Sequence, residues 1–124
     1  MRPAAKQNPT DHLPLKDLEF QILLALMEGE RHGWSIVKEL QEQRRGRKRI
    51  LPGSFYRTLN GMLHNGLIEE SARRPNTEGG DERRKYFRLA DFGVAVCLAE
   101  VDRLEALVAR VRSMEVQPLT RPGR

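Results

Sequence analysis

Four side chains able to donate or accept hydrogen bonds, Ser54, Tyr56, Arg57 and Asn60, fall within one short stretch that also carries an apolar stripe. Phe55, Leu59, Met62 and Leu63 stand at i, i+4, i+7 and i+8, the spacing that one face of a helix buries. The polar residues, with His64, then point elsewhere. Arginine can pair with guanine O6 and N7, and asparagine with adenine N6 and N7, so the chemistry this face suits is contact with base edges and phosphates of duplex DNA. Arg57 fits either a base edge or a phosphate. Pro52-Gly53 breaks what precedes, and Ser54 has the hydroxyl that an N-cap needs. Asn65-Gly66 tolerates a left-handed stop. The stretch therefore predicts a helix of about three turns.

Catalytic chemistry finds no comparable set of residues. His12, His32 and His64 fall in a tail, a turn and a helix end, and no Cys-x-x-Cys or His-x-x-x-His spacing occurs. Gly79-Gly80 is not followed by the Lys-Ser/Thr of a phosphate-binding loop. His32 is expected to satisfy the backbone of its turn. The chain is read as a non-enzyme that needs no cofactor or metal.

Composition points the same way. The formal net charge of the 124 residues is +5, with pI near 9.9, which suits a polyanionic partner. A single cysteine excludes an internal disulfide framework and fits a reducing cytoplasm. No apolar run approaches the roughly 18 residues of a membrane span, and no secretory signal is expected at the N-terminus.

The elements that would hold the polar face follow in order. Residues 1–14 read as a disordered arm. Leu15 to Glu28 is a core helix with Leu18, Ile22, Ala25 and Leu26 inward and Gly29 ending it. Glu30 to Gly33 is a turn, and a second helix runs from about Gly33 to Gln43, with Ile36, Val37 and Leu40 inward. Arg44-Arg45-Gly46-Arg47-Lys48-Arg49 is the densest basic run, and Arg45 and Arg47 are expected on phosphate. Leu67 to Ala72 and Arg83 to Leu89 read as two strands joined by a polar loop, with Phe87 and Leu89 buried. Ile50-Leu51 is a candidate third strand. The last helix spans Asp91 to about Met114. Its Val94, Cys97, Val101, Leu104, Val108 and Val111 are spaced 3, 4, 3, 4, 3, a heptad seam suited to pairing with a second copy. Packing back onto the first helix is the intramolecular alternative. Residues 115–124, with Pro118 and Pro122, read as a disordered tail.

Three helices, a two-stranded ribbon and a long last helix make a mainly α (α+β) winged helix-turn-helix at 15–90, with a dimerisation helix at 91–114. Arg31 to Arg49 carries net +5 and Arg73 to Arg88 net +3, whereas Asp91 to Glu115 carries net −2. The expected DNA side is basic and the expected dimer side mildly acidic. The rival reading is a winged-helix adaptor that binds protein without sequence-specific DNA contact.

The ordered motifs Leu18-Glu19-Phe20, His32-Gly33-Trp34-Ser35-Ile36, Pro52-Gly53-Ser54-Phe55-Tyr56-Arg57-Thr58-Leu59, Asn65-Gly66-Leu67-Ile68-Glu69 and Arg83-Arg84-Lys85-Tyr86-Phe87-Arg88-Leu89, with Gly93, resemble the PadR family of transcriptional regulators. Trp34, Ser54 and Phe55 stand where the family usually has Tyr, Thr and Leu. Lys16 and Ala90 replace the usual Ser or Thr caps, so the caps are expected to shift to Asp17 and Asp91. The resemblance implies a homodimeric DNA-binding regulator, usually a repressor on an inverted repeat, paired through its C-terminal helix. Some members release DNA on binding small aromatic or hydrophobic compounds, and Trp34 is the candidate for such an effector pocket. Tyr56 would bond a phosphate near the start of the reading helix, and Ser54 would cap that helix and touch phosphate. Arg83, Arg84 and Lys85, at the base of the wing, would grip backbone.

Overall fold

The computed structural model describes residues 7–44, 49–71 and 85–114. Among them lie α1 (Asp17–Met27), β1 (Arg31–His32), α2 (Gly33–Arg44), α3 (Pro52–His64), β2 (Ile68–Glu70), β3 (Tyr86–Leu89) and α4 (Asp91–Ser113). Residues 1–6, the basic run at 45–48, residues 72–84 and residues 115–124 lie outside the described residues.

Each helix starts and stops for a local reason. At α1 the cap stays at Lys16, not Asp17. Glu19 compensates by accepting the Lys16 backbone N–H at 2.9 Å. Ala90 likewise keeps the cap position of α4, and Asp91 is its first helical residue. α2 is capped by a histidine: His32 Nδ1 accepts the Ser35 N–H at 3.1 Å, as its expected backbone role requires. α3 begins two residues before Ser54. Pro52 takes the first helical position, where its missing N–H costs nothing. Ser54 is therefore inside the first turn and does not cap the helix. At the other end Gly66 adopts φ 79°. Its N–H reaches the Leu63 carbonyl at 3.1 Å while the Leu67 N–H reaches that of Met62 at 3.0 Å. That bond pair is a Schellman stop, completed by two buried apolar side chains, Met62 and Leu67.

The core joins one stripe from each helix: Ile22, Leu23, Ala25 and Leu26 of α1, Ile36, Val37 and Leu40 of α2, Phe55, Leu59 and Met62 of α3, and Val96 and Cys97 of α4. Phe87 on β3 is buried with them, and Leu89 packs against the cluster half-buried. The sheet is antiparallel in the order β1-β3-β2. Its third strand is Arg31–His32, paired with Phe87 and Tyr86, and not Ile50-Leu51. Ile50 instead plugs the core while its N–H is held by Gln41 Oε1 at 2.7 Å, which uses up the backbone a strand would need. The arrangement is a mainly α winged helix-turn-helix with a small sheet.

α4 crosses this body at a point set by Gly93. A Cβ there would overlap the carbonyl oxygen of Leu67 and lie 2.9 Å from its carbonyl carbon. Beyond that crossing, α4 meets the N-terminal segment. Residues 7–14 are not the structureless arm expected. Pro9–His12 forms a short 3₁₀ helix, the His12 ring packs edge-on to Phe92 with centroids 5.2 Å apart, and Leu13 and Leu15 lie against the core. Glu100, only 3% exposed, accepts the Leu15 N–H at 3.1 Å. Its two carboxylate oxygens also take Arg103 Nε at 2.6 Å and Nη2 at 3.0 Å. The Arg103 hydrogen bonds hold the Glu100 carboxyl below its ordinary range, with the Leu15 amide acting the same way against the opposing effect of burial.

Candidate nucleic-acid interface

Burying Phe55, Leu59 and Met62 turns the rest of α3 outward. Gly53, Arg57, Asn60, Gly61 and His64 are all exposed. At about 100° per residue they occupy one arc of roughly 100° centred near Arg57. This is the polar face expected from the sequence, extended to the end of the helix. No side chain caps the N-terminus of α3 among the described residues, so its first-turn amides are oriented for an acceptor from outside. Ser54, half-buried, stands in that turn.

The candidate residues divide by what already holds them. Among the described residues Arg57 makes no ion pair, whereas several neighbouring cations do. Lys85 Nζ lies 3.5 Å from Glu70, Arg88 lies 2.9 Å from Glu69 and 3.9 Å from Glu30, and Arg44 lies 3.8 Å from Asp17. Arg31 pairs with Glu39 and with Glu28. The sheet cations are thus neutralised in part by the sheet's own carboxylates. Arg45, Arg47, Arg83 and Arg84 lie outside the described residues.

Tyr56 departs from its expected role. Its ring packs edge-on against Phe55 at 5.0 Å, and its hydroxyl is buried within the protomer instead of facing a phosphate. The reason is Gly33. A Cβ there would stand 3.2 Å from Tyr56 Cε1 and 3.4 Å from the hydroxyl oxygen. The His-Gly-Trp turn and the Pro-Gly-Ser-Phe-Tyr start of α3 are therefore two halves of one packing contact. Trp34, next to that glycine, is 48% exposed. Tyr56, Leu59, Asn60, Leu63, Glu70, Lys85 and Phe87 line a shallow cleft between α3 and the sheet, which the sequence did not announce because it joins residues from three elements.

The heptad seam of α4 also divides. Cys97 is buried in the protomer's own core, so it is not presented to a second copy, and Val94 is half-buried. Burial raises the Cys97 thiol pKa, helped by the charge of Glu100, which keeps it protonated as a small core residue. Val101 and Leu104 are half-buried, and Val108 and Val111 are 49% and 59% exposed. From Glu105 to the C-cap Met114 every residue is exposed, Leu107 included. Val101, Leu104, Val108 and Ala109 form a shallow apolar groove between Glu105 and Arg112.

A winged helix with an outward polar α3 defines a class, the helix-turn-helix regulators. The chain belongs to one family of that class: the transcriptional regulator PadR-like family matches residues 22–98, more than half the chain. That family is one of transcriptional regulators, not enzymes. The fold is shared with a PadR-like transcriptional regulator from Bacillus cereus, at 22% identity and TM-score 0.64, over 82% of this chain and 93% of that one. It is also shared with a PadR family transcription regulator from Clostridium difficile, at 22% identity and TM-score 0.60, over 79% and 97% of the two chains. RosR of H. salinarum is 28% identical with TM-score 0.60, over 81% and 80%. No curated protein matches the chain. Among the described residues no helix is long and apolar enough to cross a membrane, and no group of three or more His, Cys, Asp or Glu side chains is placed to hold a metal ion.

Proposed function

We propose that this chain is a cytoplasmic transcriptional regulator that binds duplex DNA sequence-specifically as a homodimer and represses from an inverted-repeat operator. The observation that carries the reading is the outward arc of α3, where Arg57 and Asn60 are exposed beyond a helix start that, among the described residues, no side chain caps. Asn60 is assigned to an adenine edge, and Arg57 to a guanine edge or the adjacent phosphate. Ser54 and the first-turn amides of α3 are assigned to a phosphate, where the helix dipole favours an anion. Arg45 and Arg47, before that helix in the sequence, and Arg83, Arg84 and Lys85, after it, are assigned to the DNA backbone, with Lys85 exchanging Glu70 for phosphate.

Two copies pair through the exposed apolar half of α4, with Val101, Leu104, Val108 and Val111 as the contact and Val94 at its margin. A twofold dimer addresses two half-sites about one helical turn, roughly 34 Å, apart. A dimer seated there excludes other proteins from the same DNA, which makes repression the direct consequence of binding. A small aromatic or hydrophobic effector would act by entering the α4 interface and changing the spacing of the two reading helices. Trp34, 48% exposed, is the weaker place for it.

Selection of bound duplexes from a random pool tests the reading. The expected result is a palindromic consensus with half-sites about 10 base pairs apart, bound with an affinity that falls steeply with salt. Enrichment of no sequence, with no salt-dependent binding, contradicts it and leaves a protein-binding adaptor as the account of the fold.

A further inference from the structure

Two glycines of α3, Gly53 and Gly61, leave open space where a Cβ would stand, and of the two only Gly61 lies beyond the first turn, in the helix interior. Gly61 sits within the helix, and a Cβ built there meets nothing within 4 Å. No positive φ requires glycine at this position, in contrast to Gly66. Glycine inside a helix is destabilising relative to alanine, so neither packing nor backbone geometry accounts for it. Its position does have a consequence outside the protomer. Gly61 lies one turn after Arg57 on the same exposed arc and beside Asn60, with His64 completing the turn.

We propose that Gly61 belongs to the DNA-reading edge, where its bare backbone lets α3 seat closer to the base edges than any side chain would permit. The inference rests on the DNA-binding reading of α3. It lengthens the reading edge by one residue beyond Asn60. Glycine is the residue that lets a backbone approach a ligand closely. Here that approach brings Arg57 and Asn60 within reach of their bases, and Gly61 itself contributes no hydrogen-bonding side chain. It acts as a specificity-determining position through the space it leaves.

The test uses Gly61→Ala in the full chain, with the duplex that the wild-type chain selects from a random pool. Stability and binding should move in opposite directions. The melting temperature rises by roughly 2–6 °C, because alanine favours the helix. Affinity for the selected duplex falls about tenfold, the size of a lost base contact. Binding to an unselected duplex keeps its salt slope, since no charge has changed. Gly61→Leu should abolish the preference for the selected sequence while the chain remains folded. A Gly61→Ala chain that melts higher and binds the selected duplex as tightly as wild type overturns the inference. A wild-type chain that selects no duplex at all removes the DNA reading itself, and that result appears before any variant is made.

Discussion

α3 and the second half of α4 both present an outer face to solvent, and the two faces have opposite chemistry. α3 buries most of its apolar stripe: Phe55, Leu59 and Met62 are each 1% exposed or less, and Leu63 is half-buried. What remains outside is Arg57, Asn60, Gly61 and His64. α4 spends its first apolar positions on the core, at Val96 and Cys97, and then continues past the body with Leu107, Val108, Val111 and Met114 all more than 40% exposed. A polar face backed by a finished core suits a hydrated, charged partner. An apolar face with no core beneath it suits a second apolar face. The two faces suit partners of opposite chemistry, because each surface costs free energy in the other's environment.

The two helices also use glycine differently, and this gives the largest expected effect. Gly93 lets α4 rest on the Leu67 carbonyl, which itself accepts the Ala90 N–H at 3.1 Å. Gly93→Ala forces backbone apart and should cost about 3 kcal/mol or more, or prevent folding, as read by chemical denaturation. Tolerance of alanine there with an unchanged midpoint would show that α4 is not fixed on the body as described. Next in size is the apolar face. Val108→Glu should leave the protomer folded, since Val108 is half exposed, but weaken a dimer by about 3 kcal/mol or more through carboxylates buried at the contact. Sedimentation reads the outcome, and an intact dimer would remove α4 from the interface. The polar face gives a smaller change. Arg57→Ala should cost about 1–3 kcal/mol, confined to one base pair if Arg57 reads an edge and spread over all sequences if it holds phosphate.

The smallest effect separates the two halves of α4. The depressed pKa of Glu100 means that its stabilising contribution is complete above the ordinary unfolded carboxyl value of about 4.3 and is lost as pH falls through the lower folded value. Acid unfolding below about pH 4 should therefore include detachment of the Leu15 segment from α4, and Glu100→Gln should flatten that part of the pH profile. A profile that is unchanged in Glu100→Gln would show that the Leu15 contact does not contribute.

The legible parts of this chain were those written in local periodicity. The 3.6-residue spacing of Phe55, Leu59 and Met62 located α3 and its outer face, and the run from Asp91 located α4 almost to its last residue. The start of α3 was legible too, but under a different rule: proline at the first helical position outweighs a serine two residues later. Contacts between distant residues were not legible. β1 is two residues long and exists because Arg31 and His32 pair with Phe87 and Tyr86. The ordering of the N-terminal segment depends on Glu100, 85 residues from Leu15. The packing of the Tyr56 ring and hydroxyl against Gly33 joins two segments, and no spacing within either encodes it. A heptad count puts Cys97 on the seam although it is buried in the protomer's own core, because a repeat does not say where that core ends.

Backbone amide chemical shifts recorded while the dimer is titrated with its selected duplex test the division of surfaces most directly. The account predicts large shifts at Ser54, Arg57, Asn60, Gly61 and His64, with Val101 to Met114 nearly unmoved because that face is already occupied by the second copy. Shifts concentrated on α4, with the outer face of α3 unchanged, would contradict it.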